Sequence, residues 1–425
     1  MESSAGSARE SETELLTGGK GMKYIVVLAD GMADEPIAEL NGKTPLEYAR
    51  TPQMDRLAVR SEIGMTNTIP EGMAPGSDTA NLAVLGYDPR QYYTGRSPLE
   101  ALSIGAEMAD GDIAFRCNLV TLTEEDAPYR EQTILDHSSG EISTEDAAVL
   151  LKAVTDRLHV PDCRFYVGTS YRHCMIWKAG RKPELTPPHD ILEKKIGEWL
   201  PSDPLLLQMQ ELSYEILKDH PLNLERKCQG KNPANSFWFW GAGTRPALSD
   251  FREKFGKKGI MISAVDLLKG IAIGAGMDCA RVPGANGGLD TNYEGKARAA
   301  VDALLNDDYD FAYIHVEAPD EMGHQGSAER KVQAIENIDR MVLGPLTRRM
   351  DASGVPYRLL LLPDHPTPVR LRTHVAEPVP YLLYDSTQPQ DNSRLYSERT
   401  AEASGNRVEK GWELMNRLLQ EPVNR

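Results

Sequence analysis

Three of the nine histidines in this 425-residue chain stand beside aspartates where apolar runs stop. In "DFAYIHVEAPDEMGH", Asp320 and His324 are four residues apart and so share one face of a helix or turn. "RLLLLPDHPTPVRLRTHV" runs through four leucines into Asp364-His365 and reaches His374 nine residues later. "KYIVVLADG" ends on Asp30. A lone Asp at a strand end is ordinarily a turn or cap residue, and a lone Asp-x-x-x-His pair is ordinarily a surface coincidence. The convergence of Asp30, Asp320, His324, Asp364, His365 and His374 on strand ends favours a metal site instead. Such mixed ligands suit Mn²⁺, Zn²⁺ or Fe²⁺, with Mg²⁺ less favoured by imidazole. Six ligands are too many for one ion with open positions, so two metals are expected.

A metal pair needs a group to work on. "EGMAPGSDTANLAVLGYDP" offers Ser77 after Pro75-Gly76, at the head of a helical pattern. By itself Gly-Ser-Asp before an apolar helix reads as an N-cap. The same position presents free backbone N–H groups to a phosphate. Beside a metal, its hydroxyl can lose a proton and become a nucleophile.

These residues need a scaffold that brings strand ends together. The runs "KYIVVLADG", "GIMISAV", "DFAYIHVEA", "RLLLLPD" and "PYLLYD" are short, apolar and strand-like. Helical patterns separate them at 45–60, 296–305, 327–349 and 407–419. Strand alternating with helix predicts an α/β domain with a mostly parallel sheet and helices on both faces. Ligands collect at the carboxyl ends of such strands. The middle of the chain differs. "DIAFRCNLVTL" and "RFYVGTSYRHCMIW" alternate, a helical stretch covers 205–219, and prolines punctuate the remainder. This predicts an inserted α+β domain over 91–255, with 22–90 and 256–425 forming the metal-binding domain. Residues 1–21, Ser/Glu/Gly-rich and without an apolar core, are expected to be a disordered leader and not a signal peptide.

Length agrees with two or three domains at ~150 residues each. Lys+Arg of 47 against Asp+Glu of 63 leaves −16, which argues against nucleic acid or an anionic membrane as partner. No apolar run approaches the ~20 residues of a membrane span. Five scattered cysteines with no CxxC pair fit a reducing, cytoplasmic setting.

The stretches "VVLADGMAD", "GSDTANLAVLGYDP", "HVEAPDEMGH", "PDHPTP" and "RTHVAEPVP" together resemble the archaeal-type, 2,3-bisphosphoglycerate-independent phosphoglycerate mutases of the alkaline phosphatase superfamily. The resemblance runs in order from Lys23 to Asp385. It implies an alkaline-phosphatase-like core and a phosphoserine mutase of glycolysis that needs no 2,3-bisphosphoglycerate. Asp30, Ser77, Asp364 and His365 would hold one divalent ion, and Asp320, His324 and His374 the other. Mn²⁺ is the expected metal, with Mg²⁺ or Zn²⁺ as alternatives. Ser77 would accept the phosphoryl group. The insert would act as a lid that keeps water from the phosphoserine. Its candidates for gripping a small phosphorylated substrate are Asn118, His137, Arg172, His173 and Arg245, together with Lys269. Oligomeric state is left open. Rival readings are a homoserine kinase of the same superfamily, a plain phosphomonoesterase, and a non-catalytic scaffold stabilised by metal.

Overall fold

Strand β1 (Lys23–Ala29) is buried along its whole length, as a central strand covered on both faces must be. In the computed structural model, which describes residues 21–391 and 393–420, twelve further strands follow. They are β2 (Ser61–Thr66), β3 (Ile113–Leu122), β4 (Ile134–Asp136), β5 (Cys163–Tyr166), β6 (Arg172–Trp177) and β7 (Ser236–Thr244). The last six are β8 (Gly259–Ile262), β9 (Asp278–Cys279), β10 (Phe311–Val316), β11 (Tyr357–Leu362), β12 (Val379–Asp385) and β13 (Arg407–Val408). Residues 1–20 of the expected leader lie outside the described residues.

Packing divides the chain into two units. The first holds the described residues up to Tyr92, Leu248–Leu268, and those from Ala275 onward. The second holds Tyr93–Ala247 with Lys269–Gly274. Leu248–Phe255 therefore packs with the first unit and Lys269–Gly274 with the second, which differs from the single insert expected over 91–255.

The first unit is built on an eight-stranded sheet in the order β13-β2-β12-β11-β1-β10-β8-β9. Strands β11, β1, β10, β8 and β9 run parallel, while β12 runs antiparallel to both β11 and β2. Leu28 pairs with Leu362 and Ala29 with Val316, so β1, β10 and β11 end at one level. That register delivers Asp30, Glu317 and Pro363-Asp364 to a single edge. Beneath it, Ile25, Val27 and Ala29 pack with Ala297, Val301 and Leu304 of the helix Tyr293–Asn306.

Three expected helices differ in detail. The 45–60 pattern splits into Pro45–Tyr48 and Pro52–Ala58, because Pro52 disfavours helical backbone at Thr51. The long 327–349 pattern contains a π-helical stretch, Ile338–Leu343, before Gly344-Pro345. Pro345 cannot donate to the preceding turn, and a π-bulge is one way to absorb that loss. Arg407–Val408 pairs with Met65–Thr66 as an edge strand, and the helix starts only at Glu413.

In the second unit β3 pairs antiparallel with β4, β6 and β7, and β5 with β6. One face of this sheet (Phe115, Cys117, Leu119, Phe237, Phe239) packs on the helices Thr144–Thr155 and Pro204–Leu217. No helix among the described residues is long and apolar enough to cross a membrane.

A buried charge cluster fastens the site loops of the first unit. Lys331, fully buried, donates to Asp34 Oδ2 at 2.7 Å and to the carbonyls of Ala33 and Thr367. Glu398 accepts from Thr44 Oγ1 at 2.7 Å and from the Asp34 amide at 3.3 Å. Burial pushes the Glu398 carboxyl up to about 7, from an ordinary 4.5. The native state thus holds this proton more tightly than the unfolded chain does. The contribution is complete below pH 4.5 and is lost as pH rises through about 7. Glu398→Gln should therefore flatten the fall in unfolding free energy between those pH values, by on the order of 3 kcal/mol. Urea midpoints of both chains across that range check this; parallel profiles would show that Glu398 does not titrate there.

Candidate metal and serine site

Six predicted ligands and Ser77 meet at the strand edge of the first unit. Asp30 follows β1, Asp364-His365 follows β11, and Asp320 and His324 lie on the short helix Ala318–His324 after β10. Ser77 opens the helix Ser77–Val84, with Gly76 as its cap. Two groups of ligand atoms each lie within 4.8 Å of one another: Asp320, His324 and His374, and Asp30, Asp320 and His365. Asp320 belongs to both, whereas the resemblance gives it to one ion only.

Each imidazole has its Nδ1 side committed, which fixes where its Nε2 lone pair points. His324 Nδ1–H donates to the carbonyl of Arg372 at 2.9 Å. His374 Nδ1–H donates to the carbonyl of Pro75 at 3.1 Å, which also pins the loop before Ser77. A carbonyl can only accept, so both Nε2 atoms are left as acceptors. They stand 2.9 Å apart, and 3.2 and 3.3 Å from the oxygens of Asp320. Two lone pairs at that separation need a shared cation, either a proton or a metal. His365 Nδ1 lies 3.3 Å from Thr367 Oγ1, whose own hydrogen goes to Asp320. His365 Nε2 is thereby turned towards Ser77 Oγ at 3.1 Å, Asp364 Oδ2 at 3.5 Å and Asp30 Oδ1 at 3.6 Å.

The carboxylates differ in how well they are satisfied. Asp364 Oδ1 accepts from the Gly31 and His365 amides, and its Oδ2 from Asn81 Nδ2. Asn81 also holds the Ser77 carbonyl and accepts from Tyr313. Asp30 Oδ2 accepts from His315 Nε2 at 2.8 Å, but Oδ1 is buried with no hydrogen-bond partner. Burial, then Asp364 and Asp320, raises the Asp30 carboxyl well above its usual range. Burial also pulls Asp320 upward, but His324 and His374 outweigh it and hold that carboxyl well below. The hydrogen bond to Asp320 pushes His324 up to about 9, while burial lowers His365. An orphaned buried oxygen, aligned lone pairs and a mixed Asp/His/Ser donor set fit divalent cations.

The approach is close enough to demand glycine at position 31. Its φ is +61°, and an added Cβ would stand 2.5 Å from Thr367 Oγ1 and 2.6 Å from Asp320 Oδ1.

His315, Asn81 and Thr367 escape a reading of spacing alone. His315 sits inside the apolar strand "FAYIHV", and its only signal is being the polar residue of a fully buried run. Its Nδ1 accepts from Ser263 Oγ at 3.2 Å, which leaves Nε2–H to donate to Asp30.

The candidates for substrate contact lie in the second unit and do not form one group. Arg172 pairs with Asn118 on the sheet face opposite the helices Thr144–Thr155 and Pro204–Leu217, whereas His173 pairs with Cys117 on the face those helices cover. His173 is buried, and burial lowers it to about 4. It reads as a core histidine, accepting from the Gly168 amide, because neighbours in a strand face opposite ways. Asn118 uses its amide as a brace, accepting from Trp240 Nε1 and donating to the His137 carbonyl. Arg245 donates to the Met108 carbonyl beside a separate pocket of about 450 Å³. Lys269 is half-buried on the helix Asp266–Gly274.

Comparison with known proteins agrees with this architecture. The family described as 2,3-bisphosphoglycerate-independent phosphoglycerate mutase matches residues 58–223. A Geobacter sulfurreducens protein named a probable 2,3-bisphosphoglycerate-independent phosphoglycerate mutase is 48% identical, covering 94% of this chain and 100% of its own. A Methanosarcina barkeri protein of the same name, without the qualifier, is 46% identical over the same shares. The solved cofactor-independent phosphoglycerate mutase of Thermoplasma acidophilum superposes with a TM-score of 0.63 at 28% identity, covering 94% of this chain and 99% of that one.

His315 positions Asp30 without reaching the cluster itself. His315→Ala should weaken divalent-metal affinity about 10–100-fold while the chain stays folded, and His315→Gln, which keeps a donor, should recover part of it. Competition against a chromophoric chelator measures this. Equal affinity in His315→Ala and the parent would remove His315 from the site.

Proposed function

The chain belongs to the 2,3-bisphosphoglycerate-independent phosphoglycerate mutases, and from that premise we propose that it interconverts 3- and 2-phosphoglycerate through phosphorylated Ser77. The observation that carries the reading is Ser77 Oγ, 3.1 Å from His365 Nε2, at the edge of the Asp30–Asp320–Asp364 cluster. In the forward half-reaction the O3–P bond breaks as the Oγ–P bond forms, and the glycerate O3 takes a proton in place of the one Ser77 gives up. In the second half Oγ–P breaks and O2–P forms, returning the proton to Ser77. No 2,3-bisphosphoglycerate is consumed or required.

Two divalent ions fit the donor set, one near Asp30, Ser77, Asp364 and His365, the other near Asp320, His324 and His374. When bound they would supply Lewis acidity, lowering the serine's pKa and offsetting charge on the phosphoryl oxygens. The remaining work belongs to the chain. The amides at the head of the helix Ser77–Val84 favour an anion at Ser77. Asn81 holds the serine's carbonyl, and His374 holds the turn before it through Pro75. Gly31 lets the Asp30 loop approach Asp320 and Thr367. Mn²⁺ is the ion proposed, on the mixture of imidazole and carboxylate. The second unit is proposed to carry the groups that grip the substrate and to limit access of water to the phosphoserine. The mutase name carried by full-length relatives favours glycerate over homoserine or water as acceptor.

Ser77→Ala should fold and keep its metals yet lose essentially all turnover, since losing a nucleophile costs many orders of magnitude. An enolase-coupled assay with 3-phosphoglycerate and Mn²⁺, with free phosphate followed in parallel, measures the rate. Intact-mass analysis should show one added phosphoryl group on the parent and none on the variant. A variant with a tenth of parental activity would mean that another group attacks.

A further inference from the structure

One buried threonine touches both groups of ligands. Thr367 Oγ1–H donates to Asp320 Oδ1, and the same oxygen lies 3.3 Å from His365 Nδ1. Asp320 stands with His324 and His374 at 3.2 and 3.3 Å, whereas His365 faces Ser77, Asp364 and Asp30. Backbone and side chain of the threonine are both held. Its N–H donates to the Ala33 carbonyl, and its carbonyl accepts from buried Lys331 Nζ at 2.9 Å. Its methyl lies against Gly323, where an added Cβ would stand 2.9 Å from Cγ2 and 2.5 Å from the Thr367 carbonyl oxygen. On the opposite side, a Cβ added at Gly31 would meet Oγ1 at 2.5 Å. A branched side chain between two glycines keeps one χ1 rotamer, so only the hydroxyl hydrogen is left to turn.

A hydroxyl has one hydrogen to give and lone pairs with which to accept. Directed at Asp320, it leaves Oγ1 as an acceptor towards His365. Nδ1 must then carry the imidazole's hydrogen, and Nε2 presents a lone pair towards Ser77. Directed at His365 instead, it strips Asp320 of this donor and needs Nδ1 as acceptor. The imidazole's hydrogen then moves to Nε2, where a cation would sit. One hydrogen thus has two positions, and both half-sites favour the same one. An ion on His365 Nε2 demands Nδ1–H and sends the hydroxyl to Asp320. A charged Asp320, which the other ion needs, draws the hydroxyl the same way. A two-state element biased from both ends is a physical route for two sites to cooperate.

We propose that the Thr367 hydroxyl is a positioning group that couples the two metal half-sites. An ion at Asp320, His324 and His374 strengthens the hold on an ion at Asp30, Ser77, Asp364 and His365, and by reciprocity the second strengthens the first. The inference rests on the two-ion reading of the site.

Mn²⁺ titration of the full chain against a chromophoric chelator gives the affinity of each half-site, with circular dichroism to verify the fold. His324→Ala should empty one half-site while leaving Asp320, Thr367 and His365 in place. In the parent it should weaken the remaining ion about 10-fold. In Thr367→Val, which has no hydroxyl, it should leave that ion's affinity unchanged. Repulsion between the cations is common to both backgrounds, so the difference belongs to Thr367. Thr367→Val by itself should weaken both ions about 10–100-fold. Thr367→Ser keeps the hydroxyl, and should recover part of the affinity and keep the His324→Ala effect. If the valine chain does not fold, the parent and the serine chain decide, and both must show that effect. An ion bound equally with and without His324 in the parent overturns the coupling, as does an equal His324→Ala effect in parent and Thr367→Val. Coupling lost in a folded Thr367→Ser chain would assign it to methyl packing and overturn the hydroxyl's role. Two ions bound independently would sink the coupling and leave the two-ion reading standing, whereas a parent that takes up no ion sinks both.

Discussion

Three buried carboxylates at the ends of adjacent parallel strands dominate the first unit. Oxygens of Asp30 and Asp320 lie within 4.8 Å of each other, with Asp364 close enough to raise Asp30 further. At that spacing two negative charges repel by roughly 3–4 kcal/mol at an effective dielectric near 20. The amides of Gly31 and His365 and the Asn81 side chain, each worth about 1.5–3 kcal/mol to a charged group, all go to Asp364. Asp30 Oδ1 is left buried with no hydrogen-bond partner. Either protons or metal ions must fill the difference, and the Nε2 lone pairs of His324, His365 and His374 are aimed to share them.

Most of the surrounding structure serves that constraint. The parallel register of β1, β10 and β11 brings the acids together, and the carbonyls of Arg372 and Pro75 select the imidazole tautomers. Lys331, bonded to Ala33, Asp34 and Thr367, ties the loop after Asp30 to the loop after His365. Removing one partner from such a buried pair typically costs 3–5 kcal/mol, so the staple is stiff as well as neutral. The result is a negatively charged pocket set rigidly around Ser77, which is what a phosphoryl-transfer centre with two cations requires.

The ligands were legible because their types are rare and each follows an apolar strand, a pattern readable without coordinates. The residues that orient them were not. Thr367 and Lys331 act through backbone carbonyls and through-space contacts that leave no spacing in the chain. His315 hides in a strand whose other residues are apolar. In the second unit, Arg172 and His173 look like a pair but fall on opposite faces of β6, as the two-residue period of a strand requires. Arg116 reads as one polar residue in an alternating strand; its burial against Trp240 and Glu100 emerges only when β3, β7 and the helix Arg96–Ser103 come together.

The central claim is that divalent cations, not protons, balance the Asp30–Asp320–Asp364 cluster at neutral pH. Metal content by plasma mass spectrometry, after dialysis against Mn²⁺ and then metal-free buffer, addresses it directly, with thermal unfolding followed on the same samples. Two ions per chain, and an unfolding temperature that rises with Mn²⁺ and falls on chelation, are the predicted result. A chain that retains no ion and unfolds at the same temperature with and without Mn²⁺ would contradict it.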